Sequence, residues 1–166
     1  CGRILHSMDA WQIYIPEPWV EHSATAYDIA VIRIDSLPSV LEGSFLMPFT
    51  TTDSLHGDHV LNLAGYPTDR IPKRLWHSHG VQVVDPAFAH RNNTLMFHDL
   101  DTWGGNSGSP VYTYNPMSTP HRILRAIHVA RAESGTREHN IGVLINREKV
   151  NLICTWLHPY KCSQHH

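Results

Sequence analysis

The run Asp101-Thr-Trp-Gly-Gly-Asn-Ser-Gly-Ser-Pro110 gathers the residue types best suited to nucleophilic chemistry in this chain. Ser107 stands between Asn106 and Gly108, just after the pair Gly104 and Gly105. A nucleophilic serine needs a tight turn that exposes its hydroxyl and aims backbone N–H groups at the oxygen gaining negative charge. Glycine permits such a backbone, and the donors here would be the N–H groups of Gly105 and Ser107. Taken alone, Gly-Asn-Ser-Gly is more often a polar hairpin turn, so the surroundings must decide.

Those surroundings are a succession of short β-type runs between turn signals. They are Trp11–Ile15, Ile29–Ile34, His59–Ala64, Gly80–Val84, Thr94–Phe97, Pro110–Tyr114, Ile123–Ala130 and Ile141–Ile145. Eleven prolines and ten glycines punctuate them. One segment reads as a helix, Arg147 to about Leu157, with Val150, Ile153, Cys154 and Leu157 on one face and Asn146 as its N-cap. The pattern predicts an all-β barrel or sandwich closed by a C-terminal helix. Asp35–Thr52 has weaker periodicity and reads as a linker between two β units.

With the apolar strand Val111-Tyr112 behind it, Gly-Asn-Ser-Gly-Ser-Pro resembles the serine motif of chymotrypsin-fold serine proteases. The resemblance is strongest to bacterial-type glutamyl endopeptidases and their secreted eukaryotic relatives. Tyr27-Asp28-Ile29-Ala30-Val31-Ile32 looks like the Asp-Ile-Ala motif of that family, whose aspartate orients the catalytic histidine. Gly65-Tyr66-Pro67 and the pair Ile127-His128 also look like family segments, the latter the strand that lines the specificity pocket. The resemblance implies a chymotrypsin-like double β-barrel whose first barrel is only partly present. Residues 1–35 would be the last strands of barrel one, 36–52 a linker, 53–146 barrel two and 147–166 the helix and tail. It further implies peptide-bond hydrolysis through a Ser107 acyl-enzyme, with Gly105 and Ser107 as oxyanion hole and no cofactor.

On specificity the resemblance points two ways. Thr102 and His128 fall where glutamyl endopeptidases carry a pocket threonine and histidine, which would donate hydrogen bonds to a substrate carboxylate. Asp101 falls where trypsin-like enzymes carry the aspartate that pairs with a substrate Arg or Lys. A carboxylate beside His128 could instead keep that imidazole protonated, favouring acidic substrates. Cleavage after acidic residues is the expectation.

The general base is the departure from the family pattern. The resemblance places it well upstream of Asp28, and 27 residues precede that aspartate here. His6 and His22 are the histidines among them, neither in a family-like context. The expectation is an N-terminally incomplete chain whose catalytic histidine lies elsewhere and which is inactive alone. The alternative is a non-catalytic protease homologue acting as a secreted binding module.

Composition excludes several other classes. Thirteen Lys and Arg against 15 Asp and Glu give a formal charge of −2, too little positive charge for a generic nucleic-acid binder. Arg70, Lys73 and Arg74 read as a solvated loop. A 42 % hydrophobic share with 17 % charged residues is too apolar for a disordered chain, and no apolar run is long enough to span a membrane as a helix. His77-x-His79 and His56-x-x-His59 supply two imidazoles each, fewer than a zinc site needs, and His165-His166 could be a weak metal clip. No metal site is expected.

The sequence starts at Cys1, not Met, and no charged-then-apolar pattern follows it, so a processed product or a fragment is expected. The helix end, Pro159 and the return to Cys162 suggest a Cys154–Cys162 disulfide, worth roughly 2.5 kcal/mol. Two free thiols in a reducing compartment are the other option. With the disulfide, Cys1 would need a partner in an upstream segment. The sequon Asn92-Asn93-Thr94 agrees with secretion.

Overall fold

The computed structural model describes residues 12–33, 60–83, 93–117, 121–134 and 137–157. The expected linker 36–52, His6, His56, Asn92, Cys1, Cys162 and His165-His166 lie outside the described residues. The elements run β1 (Gln12–Tyr14), α1 (Glu17–His22), a 3₁₀ turn (Thr25–Tyr27), β2 (Val31–Arg33), β3 (Val60–Gly65) and β4 (Trp76–Val83). They continue with β5 (Leu95–His98), β6 (Pro110–Tyr114), β7 (Arg122–Ser134), β8 (Arg137–Leu144) and α2 (Arg147–Leu157).

Strands β3 to β8 close into a barrel of order β3-β4-β5-β8-β7-β6, each neighbour antiparallel. Alternation explains its interior. Leu61 and Leu63 point inward from β3 and join Met96, Leu100, Val111, Ala126 and Leu144 in one buried cluster. Strand β5 is buried on both faces because its own Leu95 and Phe97 point outward into a second cluster. That cluster also holds Ile141, Val143 and, from the segment before β2, Ile29. Ile29 thereby ties the separate two-stranded sheet β1–β2 to the barrel wall.

Helix α2 forms where expected. Asn146 Oδ1 accepts the Lys149 N–H at 2.9 Å, a side-chain N-cap, and Val150 and Ile153 are buried. Two corrections concern length and type. Helix α1 was not expected: six residues hold too few turns to show a period, and it is set instead by a proline in its first turn and a left-handed Ser23 (φ 49°) at its end. Strands β4 and β7–β8 run beyond their apolar cores, since β4 starts at Trp76 and the hairpin pairs as far as Ser134 with Arg137. Polar residues on an exposed strand carry little hydrophobic signal, so the backbone ladder outruns the pattern.

Candidate active site

The serine segment is two successive turns. The Asn106 N–H bonds to Trp103 O at 3.0 Å, and the Ser109 N–H to Asn106 O at 3.0 Å. In each turn the third residue is a glycine with positive φ, Gly105 at 96° and Gly108 at 85°, which is the requirement of a type II turn. The glycine pattern Trp-Gly-Gly-Asn and Asn-Ser-Gly-Ser thus dictates the backbone. The exit is anchored on β7, with Gly108 N–H to His128 O at 2.8 Å and His128 N–H to Ser109 O at 2.9 Å. The entry is anchored on the loop after β3, where Thr68 gives both its N–H (2.7 Å) and its hydroxyl (2.8 Å) to Gly104 O. Among the described residues, neither the Gly105 nor the Ser107 amide is used in these bonds.

Ser107 is exposed, and its hydroxyl donates a long bond of 3.3 Å to Val129 O. Val129 sits where β7 shifts register between His128 and Ala130, a bulge that turns its carbonyl out of the ladder. Ser107, Gly108 and Val129 share one cleft of about 310 Å³ with Trp19, Asp28 and Ile127. Asp28 is delivered there by a tight local fold. It follows the 3₁₀ turn at φ −74°, ψ 66°, and Ile29 N–H bonds back over it to Tyr27 O at 2.8 Å, an inverse γ-turn. Partial burial raises its carboxyl pKa above the ordinary value. Acid and serine, 79 residues apart in sequence, therefore face one space. His22 does not join them: it is 74 % exposed beside Glu21 at the end of α1.

The specificity candidates divide. The Thr102 hydroxyl donates to Asn140 Oδ1 at 2.6 Å, and Asn140 donates to Leu100 O at 2.7 Å. Asn140 lies directly opposite His98 on β5. His98 and His128 are both buried, edge to face, with His128 Nδ1 3.3 Å from His98 Nε2. Asp101 and Thr102 both line a larger cavity of about 530 Å³ with Trp76, His77, His79 and Asp99, and neither borders the cleft of Ser107. The idea that a carboxylate keeps His128 charged is therefore corrected. Burial pulls His128 down to about 4, a backbone bond to Ile141 opposing, and burial plus the neighbouring imidazole pulls His98 to about 3. Both rings are neutral near neutrality. His98 was missed in the sequence because its strand was ended at Phe97; one more residue of alternation places it on the inward face with Met96.

This pair gives a testable pH dependence. Below the unfolded histidine value of about 6.5 the unfolded chain takes up protons that the folded pair refuses until about pH 4 and 3. Their contribution to stability is therefore complete above about pH 6.5 and is lost as pH falls, on the order of 2 kcal/mol per unit between pH 6 and 4. Urea unfolding midpoints should fall across that range and fall less steeply in His98→Gln. Equal slopes for the two proteins would refute the assignment.

Among the described residues no three His, Cys, Asp or Glu side chains are grouped so as to hold a metal ion, and no helix is long and apolar enough to cross a membrane. Cys154 is disulfide-bonded.

A closed six-stranded barrel followed by a helix, with a serine turn on its rim, is the fold of chymotrypsin-like serine proteases. A solved Glu endopeptidase, in complex with MPD, superposes with TM-score 0.69 at 21 % identity, covering 91 % of this chain and 64 % of that one. The protease Anisep from Arthrobacter nicotinovorans does so with TM-score 0.64 at 16 % identity, covering 88 % and 65 %. In sequence, the chain is similar to glutamyl endopeptidase of Bacillus licheniformis, 27 % identical over 152 residues, 90 % of this chain and 45 % of that protein. It is also similar to a Bacillus subtilis protein named extracellular metalloprotease, 26 % identical over 143 residues, 86 % and 42 % of the two. The chain thus spans somewhat less than half the length of these curated relatives. No family model matches it.

Proposed function

We propose that the protein to which this chain belongs is a secreted serine endopeptidase that cleaves peptide bonds after acidic residues. The observation that carries the reading is the common cleft of Asp28 and Ser107, beside a turn whose Gly105 and Ser107 amides have no backbone acceptor among the described residues. Ser107 attacks the peptide carbonyl, and the Gly105 and Ser107 N–H groups receive the oxyanion. Asp28 holds the imidazole of the general base in its useful tautomer and stabilises the imidazolium without taking the proton. That histidine comes from chain preceding residue 1, and residues 1–35 complete the first barrel with it. Residues 1–166 alone then give no turnover. Cys154 pairs with Cys162, a bond suited to secretion.

For the acidic preference, the support is chemical. Thr102 is hydrogen-bonded to Asn140 and His98 to His128, and strand pairing sets Asn140 beside His98, so these two polar pairs lie side by side where an imidazole N–H could serve a carboxylate. Asp101, the residue that would attract a basic side chain, shares its cavity with Thr102 and does not border the Ser107 cleft, so its substitution is the control on this reading. The test compares kcat/KM of the full-length protein on matched peptides with Glu, Asp, Arg or Phe before the scissile bond. Glu should lead Arg by about 100-fold, the scale of a site whose polar groups are matched rather than unpaired. A preference for Arg that disappears in Asp101→Ser would reverse the reading of the pocket.

A further inference from the structure

Lys149, in the first turn of α2, is fully buried, with 0 % of its side chain exposed. Among the described residues its Nζ makes no hydrogen bond. It lies 3.7 Å from the centre of the Tyr27 ring and 3.5 Å from Glu148 Oε2. The Tyr27 hydroxyl in turn donates to Glu148 Oε1. Two consecutive residues of one helix therefore grip one tyrosine, the ammonium on its face and the carboxylate at its tip. A buried ammonium over a ring is a strong form of the cation–π contact, because water no longer competes for the charge.

Tyr27 is the residue before Asp28. Its backbone is held as closely as its ring: its N–H bonds to Ala24 O at 2.7 Å, and its carbonyl accepts the Ile29 N–H at 2.8 Å. On the far side of the aspartate, Ile29 is buried against Leu95, Phe97, Ile141 and Val143. Asp28 is thus suspended between two fixed neighbours, one locked to α2 and one to the barrel wall. We propose that Lys149 and Glu148 are positioning residues that set the placement of Asp28 by clamping Tyr27. The C-terminal helix is then part of the apparatus that aligns the acid with Ser107, in addition to covering the barrel. The consequence for catalysis rests on the Asp28–Ser107 reading above; the clamp itself does not.

The experiment has two arms in the full-length protein. In hydrogen exchange, Lys149→Met and Glu148→Ala should speed the Asp28 and Ile29 amides by about 10-fold or more, leaving Val111 and Val143 in the barrel unchanged. Glu148 is about half exposed, so its truncation tests the clamp even if Lys149→Met folds poorly. In kinetics, Lys149→Met and Tyr27→Leu should lower kcat by roughly 10- to 100-fold with KM within about twofold, the signature of a displaced catalytic group. Tyr27→Phe keeps the ring under Nζ but loses the bond to Glu148, so its kcat should fall between those of the parent and Tyr27→Leu. Trp156→Leu removes another contact of the same helix, the stack on Tyr14 at 5.7 Å, and should leave kcat within about twofold. Unchanged exchange at Asp28 and Ile29 overturns the clamp, as does unchanged kcat in an active parent. An inactive parent overturns the protease reading instead, and the exchange arm still decides the clamp.

Discussion

Ser107→Ala in the full-length protein should lower kcat/KM by about 10⁵- to 10⁶-fold and abolish labelling by a fluorophosphonate. The size follows from what the hydroxyl does: without it no acyl-enzyme forms, and only binding and the oxyanion donors remain. The fold should not notice. Ser107 is exposed and its hydroxyl makes a single long bond to Val129 O, so stability should change by no more than about 0.5 kcal/mol. Asp28→Asn should cost about 10⁴-fold while still permitting slow labelling, since the nucleophile survives and the tautomer is lost. A parent protein that neither labels nor turns over peptides would make the serine turn a retained scaffold and favour a binding module.

The parts of this site legible in the sequence are those where backbone geometry restricts residue choice. Positive φ at Gly105 and Gly108 admits little but glycine, so the serine turn is written almost letter by letter. The same holds for Asn146 at the start of α2, where a short polar side chain must reach the Lys149 N–H. What was not legible depends on partners far apart in sequence. Whether Asp101 faces the serine cleft or the cavity with Trp76 and Asp99 is a matter of a fraction of a turn of loop, which no local pattern encodes. His128 reads as a donor for substrate, yet its charge state is set by its burial against His98 on another strand. Lys149 lies off the helix face of Val150, Ile153, Cys154 and Leu157, so no local pattern marks it as buried. Its burial depends on Tyr27, 122 residues earlier.

The three glycines around Ser107 should rank sharply when each is replaced by alanine, because their surroundings differ. At Gly104 a Cβ meets only Thr68 Oγ1, at 3.5 Å, an ordinary contact. That variant should retain activity within a few fold and stability within about 1 kcal/mol. At Gly108 the space is open, with nothing within 4 Å, but φ is 85°. The cost there is backbone strain alone, on the order of 1–2 kcal/mol. At Gly105 both penalties combine. Its φ is 96°, and a Cβ would lie 2.8 Å from Tyr66 O and 2.8 Å from Thr68 Cγ2. The Tyr66 carbonyl belongs to the loop that Thr68 fastens to Gly104 O, so it has little freedom to withdraw. Relief must come from the serine turn itself, and any such movement swings the Gly105 N–H away from the oxyanion. Gly105→Ala should therefore cost about 2–4 kcal/mol of stability, the sum of a strained backbone and a backbone clash. It should also cost 10²- to 10³-fold, roughly, in kcat, as expected when one oxyanion donor is lost. Thermal melts and steady-state kinetics on the three alanine variants measure both quantities. If Gly108→Ala proved the more damaging to kcat, the Gly105 amide would not be the donor assigned here.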